Sequence, residues 1–195
     1  MKRRTVVLNG EITTESMGTL GNQMLTLQME SSERIDLIID SGGGNIIAAL
    51  QLCDLITNLM TAPVRGIALG DCGSAATFLM LHCAERCATK YSRFLIHSAT
   101  LSKISIQVNQ TTSENIEHLL KEVKATEEKV LQIYAQYLTP PHWTTENPNL
   151  EQKRAYAQSL ISRGDQRFDD WFSAEEAIRC GLITTIVDGK LDIFS

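Results

Sequence analysis

The sequence predicts an α/β fold built on a mainly parallel sheet. Three observations lead there. Short runs rich in β-branched residues alternate with apolar patterns at helical spacing through the first half of the chain. Two glycine-bearing turns stand where a strand gives way to a helix. A chain of 195 residues, 43% of them hydrophobic, is also long enough to bury a core without disulfide staples.

The elements follow in order. Thr5-Val6-Val7-Leu8 is a β-branched run ended by Asn9-Gly10, a strand. Met17, Leu20, Met24 and Leu27 recur at three and four residues, the spacing of one helix face. Ile35 to Ile39 is a second strand and runs into Asp40-Ser41-Gly42-Gly43-Gly44. Ile46 to Met60 is apolar nearly all round, as a buried helix would be. Val64 to Leu69 is a third strand, stopped at Gly70. Ala75 to Leu81 is another buried helix, and Arg93 to Ile96 a fourth strand closed by His97.

After residue 98 the texture changes. Ile104 to Val108 alternates apolar and polar, the pattern of a half-exposed strand. Thr111-Thr112-Ser113-Glu114 is a capping box that opens a long helix to about Leu138. Ile116, Leu120, Val123, Val130, Tyr134 and Tyr137 lie along one side, and the other side is Glu/Lys-rich and solvated. A helix of this length suggests a protruding arm whose apolar stripe needs a partner. Pro140-Pro141 stops it. A helix from about Leu150 to Arg163 is expected to end at Gly164 as a C-cap. Ser173-Ala174-Glu175-Glu176 is a second capping box, opening a short helix that stops at Gly181. Leu182 to Val187 is the last strand.

Composition narrows the function classes. The net charge of −5 argues against a broad nucleic-acid or anionic-membrane surface. The basic start Met1-Lys2-Arg3-Arg4 is followed by only a four-residue apolar run, too short for the core of a signal peptide. No apolar run approaches the ~18–20 residues of a membrane span. The expectation is a soluble, cytoplasmic protein. Cys53, Cys72, Cys83, Cys87 and Cys180 are odd in number and lack CxxC spacing, so they read as buried small hydrophobes. Cys83 and Cys87 with His82 make a weak zinc pattern with no second half elsewhere.

Chemistry concentrates at the two strand-to-helix turns. Glycines at 42–44 let the backbone approach a ligand and point N–H groups outward, but no GxxxxGK[ST] or GxGxxG spacing exists. The turn is either merely tight or an anion or oxyanion site. In Gly70-Asp71-Cys72-Gly73-Ser74, the serine falls at a helix N-terminus, where free N–H groups favour negative charge. It is either an ordinary N-cap or a nucleophile, and the pattern is not GxSxG. A nucleophilic serine needs a base and an orienting acid. His82 and His118 lie within helices and His142 in the proline-rich turn. Only His97 closes a strand of the parallel sheet, where α/β sites open. Asp165, Asp169 and Asp170 share one loop, and spacing does not choose among them.

These residues carry a resemblance. Ile35 to Gly44 with the following helix resembles the glycine-rich turn of ClpP-family serine peptidases, and Gly70 to Leu79 resembles their nucleophile segment. Ser92 to His97 resembles their histidine strand. Phe168 to Ala177, followed by Gly181-Leu182-Ile183, resembles their acid segment. The four blocks stand in the family's order, and the similarity runs from about Val6 to Val187. The resemblance implies a ClpP/crotonase-like stack of ββα units with a protruding strand-helix handle. On that reading residues 1–195 form one domain, with a head at about 5–97 and 140–188 and a handle at about 98–138.

The resemblance also implies roles. Ser74 matches the nucleophile, His97 the general base and Asp169, five residues before Ala174, the orienting acid. Gly44 and Ala75 match the backbone N–H donors of the oxyanion hole. No cofactor or metal is needed. The implied partners are further copies in a ring or double ring, peptide substrates bound against the handle strand Ile104 to Val108, and an AAA+ unfoldase. Neither nucleic acid nor membrane is expected as a partner.

This sequence departs from the family at several points. Gly42 replaces the usual proline, Cys72-Gly73 the usual Ala-Ala and Ala75 the usual methionine. Ser98-Ala99-Thr100-Leu101 stands where Pro-Leu-Gly-Gly is usual. The handle and the segment from Pro140 to Asp165 look longer than usual. The chain begins almost at its first strand, so the axial segment that helps couple the family to its unfoldase is expected to be absent, which leaves ring size and that partnership open.

Two other readings compete. One is a catalytically inactive ClpP-like ring subunit, against which stand intact Ser74, His97 and Asp169. The other is a crotonase-type acyl-CoA hydratase or isomerase, which shares the ββα superfold and an oxyanion hole; no acidic pair is placed for that chemistry.

Overall fold

The computed structural model describes residues 4–98, 113–143, 147–166 and 170–189. Strands β1 (Thr5–Asn9), β2 (Ile35–Ser41), β3 (Val64–Gly73), β4 (Glu85–Thr89) and β7 (Thr185–Val187) pair in that order, all parallel. β5 (Arg93–Leu95) joins the far end of β3 in parallel, and β6 (Phe172–Ser173) runs antiparallel to β5. The α/β class and the parallel sheet are as the sequence predicts.

β2 reads Ile-Asp-Leu-Ile-Ile because a parallel strand covered on both faces needs a near-continuous apolar run. Ile35, Leu37 and Ile39 are fully buried, each worth about 1.5–3 kcal/mol of transfer free energy. Its one buried charge, Asp36, is held by the guanidinium of Arg65 on β3 through two hydrogen bonds of 2.8 and 2.7 Å.

Helix α1 (Thr14–Glu30) starts at Thr13, which forms a reciprocal capping box with Ser16, and buries Met17, Leu20 and Met24. α2 (Ile46–Asp54) is capped by Asn45 and ends in a π-helical turn over Leu55–Leu59. It is not buried all round as expected: Ala48, Ala49, Leu52 and Cys53 face the core, while Ile47 and Leu59 are exposed. α3 (Ala75–His82) is the most enclosed helix, with Ala75 to Leu81 all buried.

β3 runs past Gly70, where the sequence suggested a stop. Register with β2 shifts between Ile39 and Ser41, which pair with Ala68 and Cys72. The Asp40 carboxylate occupies the bulge: it accepts the Asp71 N–H at 3.0 Å and lies where a side chain on residue 70 would stand. Gly70 thus marks a close approach rather than a strand end. The bulge lets β3 serve two neighbours. Arg65 to Ala68 pair with β4, and Asp71 to Gly73 with β5.

The long helix α4 (Ser113–Tyr137) forms as expected. Its stripe divides: Val130, Tyr134, Ala135 and Leu138 are buried in the core, whereas Ile116 and Leu120 are exposed. The expected handle strand 104–108 and the start of the capping box at 111–112 lie outside the described residues. α5 (Leu150–Gln166) packs beside α4, with Arg154 forking Glu128 at 2.8 Å through both nitrogens. α6 (Ala174–Cys180) has the Ser173/Glu176 capping box and a left-handed C-cap at Gly181 (φ 78°), both as expected. Among the described residues no helix is long and apolar enough to cross a membrane.

Candidate active site

Three turns meet at one edge of the sheet. In the parallel register Ser41 lies opposite Cys72, and Gly73 opposite Leu95. The glycine turn after β2, Ser74 after β3 and His97 after β5 therefore leave the same carboxyl edge, where ligands bind in open α/β sheets.

Ser74 stands at the N-cap position of α3 but makes no capping hydrogen bond through its side chain. Its backbone sits at φ 53°, ψ −126°, a conformation that costs a non-glycine residue about 1–3 kcal/mol. An ordinary N-cap serine has extended backbone, and its side-chain oxygen accepts a hydrogen bond from a first-turn N–H, so that alternative is removed. The strained turn is held from both sides. The Ser74 N–H donates to the Leu95 carbonyl at 2.7 Å, and the Ser74 carbonyl accepts the Thr77 N–H at 3.0 Å.

The glycine turn is pressed against this serine. A methyl on Gly43 (φ 104°) would fall 2.7 Å from Ser74 Cβ and 3.0 Å from the Ala75 nitrogen. Gly44 (φ 144°) bridges to Ile12, and a Cβ there would run into the Ile12 backbone. The turn is fastened by three hydrogen bonds. Gly43 N–H donates to Ser41 Oγ at 3.1 Å, Ile12 N–H to the Gly43 carbonyl at 2.8 Å, and Asn45 N–H to the Ile12 carbonyl at 2.8 Å. Positive φ at Gly43 and Gly44 together with this close approach explains why glycine is needed at both positions.

His97 is half-buried. Burial pushes its pKa below the ordinary histidine value, while the Asp165 carboxylate and the Ser98 backbone pull it back up. The net result favours a neutral imidazole, the form that can accept a proton. α5 ends against this histidine. Gly164 is not a C-cap: the helix continues to Gln166, and a Cβ on Gly164 would collide with the Ile96 carbonyl and meet His97 Cβ at 3.3 Å.

The three acid candidates separate. Asp165 accepts the Ser98 N–H at 2.8 Å. Asp170 is forked by Arg163 at 2.8 and 2.9 Å, and Arg163 also reaches Glu176 at 3.1 Å. Asp169 lies outside the described residues. The flanking segments are anchored beside the histidine strand, through Asp165 on one side and the Phe94–Phe172 pairing on the other.

Sequence reasoning missed several neighbours. The Trp171 ring covers Gly73, where a methyl would meet it at 2.9 Å, and the Arg93 guanidinium lies 4.9 Å from that ring's centroid. Arg93 is itself forked by Asp71 at 3.0 and 2.9 Å. Thr77 and Tyr134 sit behind the serine. The advance signal for these was that Asp71, Thr77, Arg93 and Trp171 fall inside the conspicuous segments, and Tyr134 on the apolar stripe of the long helix. The five cysteines are free and buried, with burial raising Cys83 to about 12 and Cys180 to about 11.

Comparison with known proteins gives the family. A family model described as Clp protease matches residues 1–190. The ATP-dependent Clp protease proteolytic subunit 2 of Treponema denticola is 27% identical over 99% of this chain and 86% of its own length. Its namesake in Treponema pallidum is 24% identical over the same shares. The proteolytic subunit 1 of Borreliella burgdorferi is 34% identical, over 56% of this chain and 61% of that protein. With nearly its whole length matched, the chain belongs to the Clp protease family.

Proposed function

We propose that the chain is a proteolytic subunit that cleaves peptide bonds with Ser74 as nucleophile, His97 as general base and Asp169 as the acid orienting it. Membership of the Clp protease family implies serine-type peptidase activity. One observation carries the assignment to Ser74: it is a non-glycine residue in a strained turn, without a capping role, on the same sheet edge as a histidine held toward its neutral form.

The chemistry is acyl transfer. The Ser74 hydroxyl attacks the substrate carbonyl carbon as His97 takes its proton. The oxygen of that carbonyl gains negative charge and is met by the backbone N–H groups of Gly44 and Ala75. A preorganised donor of this kind contributes roughly 3–4 kcal/mol in the transition state. His97 then returns the proton to the leaving amine, and water, activated by the same imidazole, releases the acyl group. Asp169 is preferred as the acid because Asp170 is committed to Arg163 and Asp165 to Ser98.

The head bearing this site and the α4 arm are read as one domain, in a cytoplasmic homo-oligomeric ring that receives protein substrates from an AAA+ unfoldase. The exposed Ile116 and Leu120 on the arm support assembly, since an unpartnered apolar stripe is stabilised by a second copy.

Hydrolysis of a fluorogenic peptide by wild type, Ser74→Ala, His97→Ala and Asp169→Asn, with mass by light scattering, tests the proposal. Activity in the wild type that all three variants lose, in a particle many times the chain mass, is expected. Turnover surviving Ser74→Ala rejects the nucleophile, turnover surviving Asp169→Asn rejects that acid, and a stable monomer rejects the ring.

A further inference from the structure

Thr77 stands in the first turn of α3 and is completely buried. Its hydroxyl lies 2.6 Å from the Ser74 carbonyl oxygen and 2.7 Å from the hydroxyl of Tyr134, which reaches in from α4. A threonine hydroxyl has one proton and a carbonyl can only accept. The Thr77 proton therefore goes to Ser74, and the Tyr134 proton goes to Thr77. Tyr134 is also fully buried, and its ring packs edge-on against Phe78 at 5.5 Å between centroids, which restricts where its hydroxyl can point. Burial raises its pKa well above the usual phenol value, so it remains a donor.

The accepting carbonyl belongs to the peptide plane between Ser74 and Ala75. A trans peptide is rigid, with its C=O and N–H pointing in opposite directions. Two donors from Thr77 on the Ser74 oxygen thus fix the direction of the Ala75 N–H. We propose that Tyr134 and Thr77 form a positioning relay that aims the Ala75 N–H at the developing oxyanion. The proposal rests on the reading of Ser74 and Ala75 given above. Without the relay the Ser74 carbonyl keeps only the Thr77 N–H, and the strained Ser74 backbone is freer to relax and turn the donor away. Hydrogen bonds in a chain also polarise one another, so a carbonyl drawn on by donors leaves its own amide a better donor. Because Tyr134 belongs to α4, the arm is tied to the nucleophile turn by two hydrogen bonds in series.

The test measures kcat and KM on a fluorogenic peptide, and the rate of serine labelling by a fluorophosphonate, in wild type, Thr77→Val, Thr77→Ser, Tyr134→Phe and the double variant Thr77→Val/Tyr134→Phe. The double variant leaves no orphaned hydroxyl and serves as the folded control. Thr77→Val is expected to lower kcat by about 10-fold with KM nearly unchanged, since a misaimed donor costs part of the ~100-fold or more lost when one is removed. Thr77→Ser is expected to restore kcat. Tyr134→Phe is expected to lower kcat less, and to add nothing in the Thr77→Val background. The relay is overturned if wild type is active and labelled while the double variant keeps its kcat. It is equally overturned if the loss falls on KM or Thr77→Ser fails to restore it. If wild type neither turns over peptide nor labels, the reading of Ser74 fails and the relay falls with it.

Discussion

Gly43 packs against Ser74 so closely that a single methyl on the glycine would sit 2.7 Å from the serine Cβ. Two chain segments separated by the whole of α2 and of β3 thus define one surface. The contact brings the turn bearing Gly44 beside the turn bearing Ala75, the arrangement an oxyanion hole requires.

Gly43→Ala should therefore damage both stability and catalysis. The substitution strains a residue at φ 104° and forces the two turns apart. A fall in kcat/KM of about 100-fold or more is expected, comparable with loss of one oxyanion donor. Gly18→Ala on the exposed face of α1, where nothing lies within 4 Å of the added methyl, is the control and should be neutral or stabilising by up to about 1 kcal/mol.

Gly164→Ala should act through the histidine. Its methyl would collide with the Ile96 carbonyl next to His97. Slower serine labelling is expected in protein whose circular dichroism is unchanged.

The pH dependence follows from His97. Its pKa is lowered, so the proposed base stays neutral to more acid pH than an ordinary histidine, and the acid limb of kcat/KM should have its midpoint below the ordinary histidine value. Asp165 opposes the shift, because its negative charge favours the imidazolium. Asp165→Asn should move the acid limb further down, and a pH profile of the variant checks the sign.

Asp36→Ala should destabilise without touching chemistry. It removes the carboxylate that accepts two hydrogen bonds from the Arg65 guanidinium, whose side chain is only 11% exposed. A loss of about 3–5 kcal/mol in urea unfolding is expected, as for other broken buried pairs. Labelling of the folded fraction should proceed at the wild-type rate.

Much of this was legible in the sequence because local chemistry and global fold agree. The runs at Val6, Leu37 and Ile67, the turns at residues 42–44 and 70–74, and the Ser173/Glu176 capping box each have a local cause. β4 was missed because Glu85-Arg86-Cys87-Ala88-Thr89 has no apolar β-branched residue. It is a strand because β3 and β7 flank it and because Arg86 is satisfied by the Tyr137 carbonyl and Thr139 Oγ1 at 3.1 and 2.6 Å. The continuation of β3 past Gly70 depends on the carboxylate of Asp40, thirty residues earlier, which no local pattern encodes.

Ser74 and His97 could be named from strand ends and from family resemblance, but the support behind them could not. Tyr134 reads as one more residue of an apolar stripe until its hydroxyl is found on Thr77, 57 residues away. Gly164 looks like a helix stop because glycine usually is one, whereas here it lets α5 approach Ile96 and His97. In both cases the cause is a long-range contact.

The most direct test of the central claim is the site of covalent modification. The native protein is treated with a fluorophosphonate, digested and mapped by mass spectrometry. The account predicts a single serine adduct, on Ser74, that vanishes in His97→Ala. An adduct on another residue, or none in protein that is folded and assembled, would contradict it.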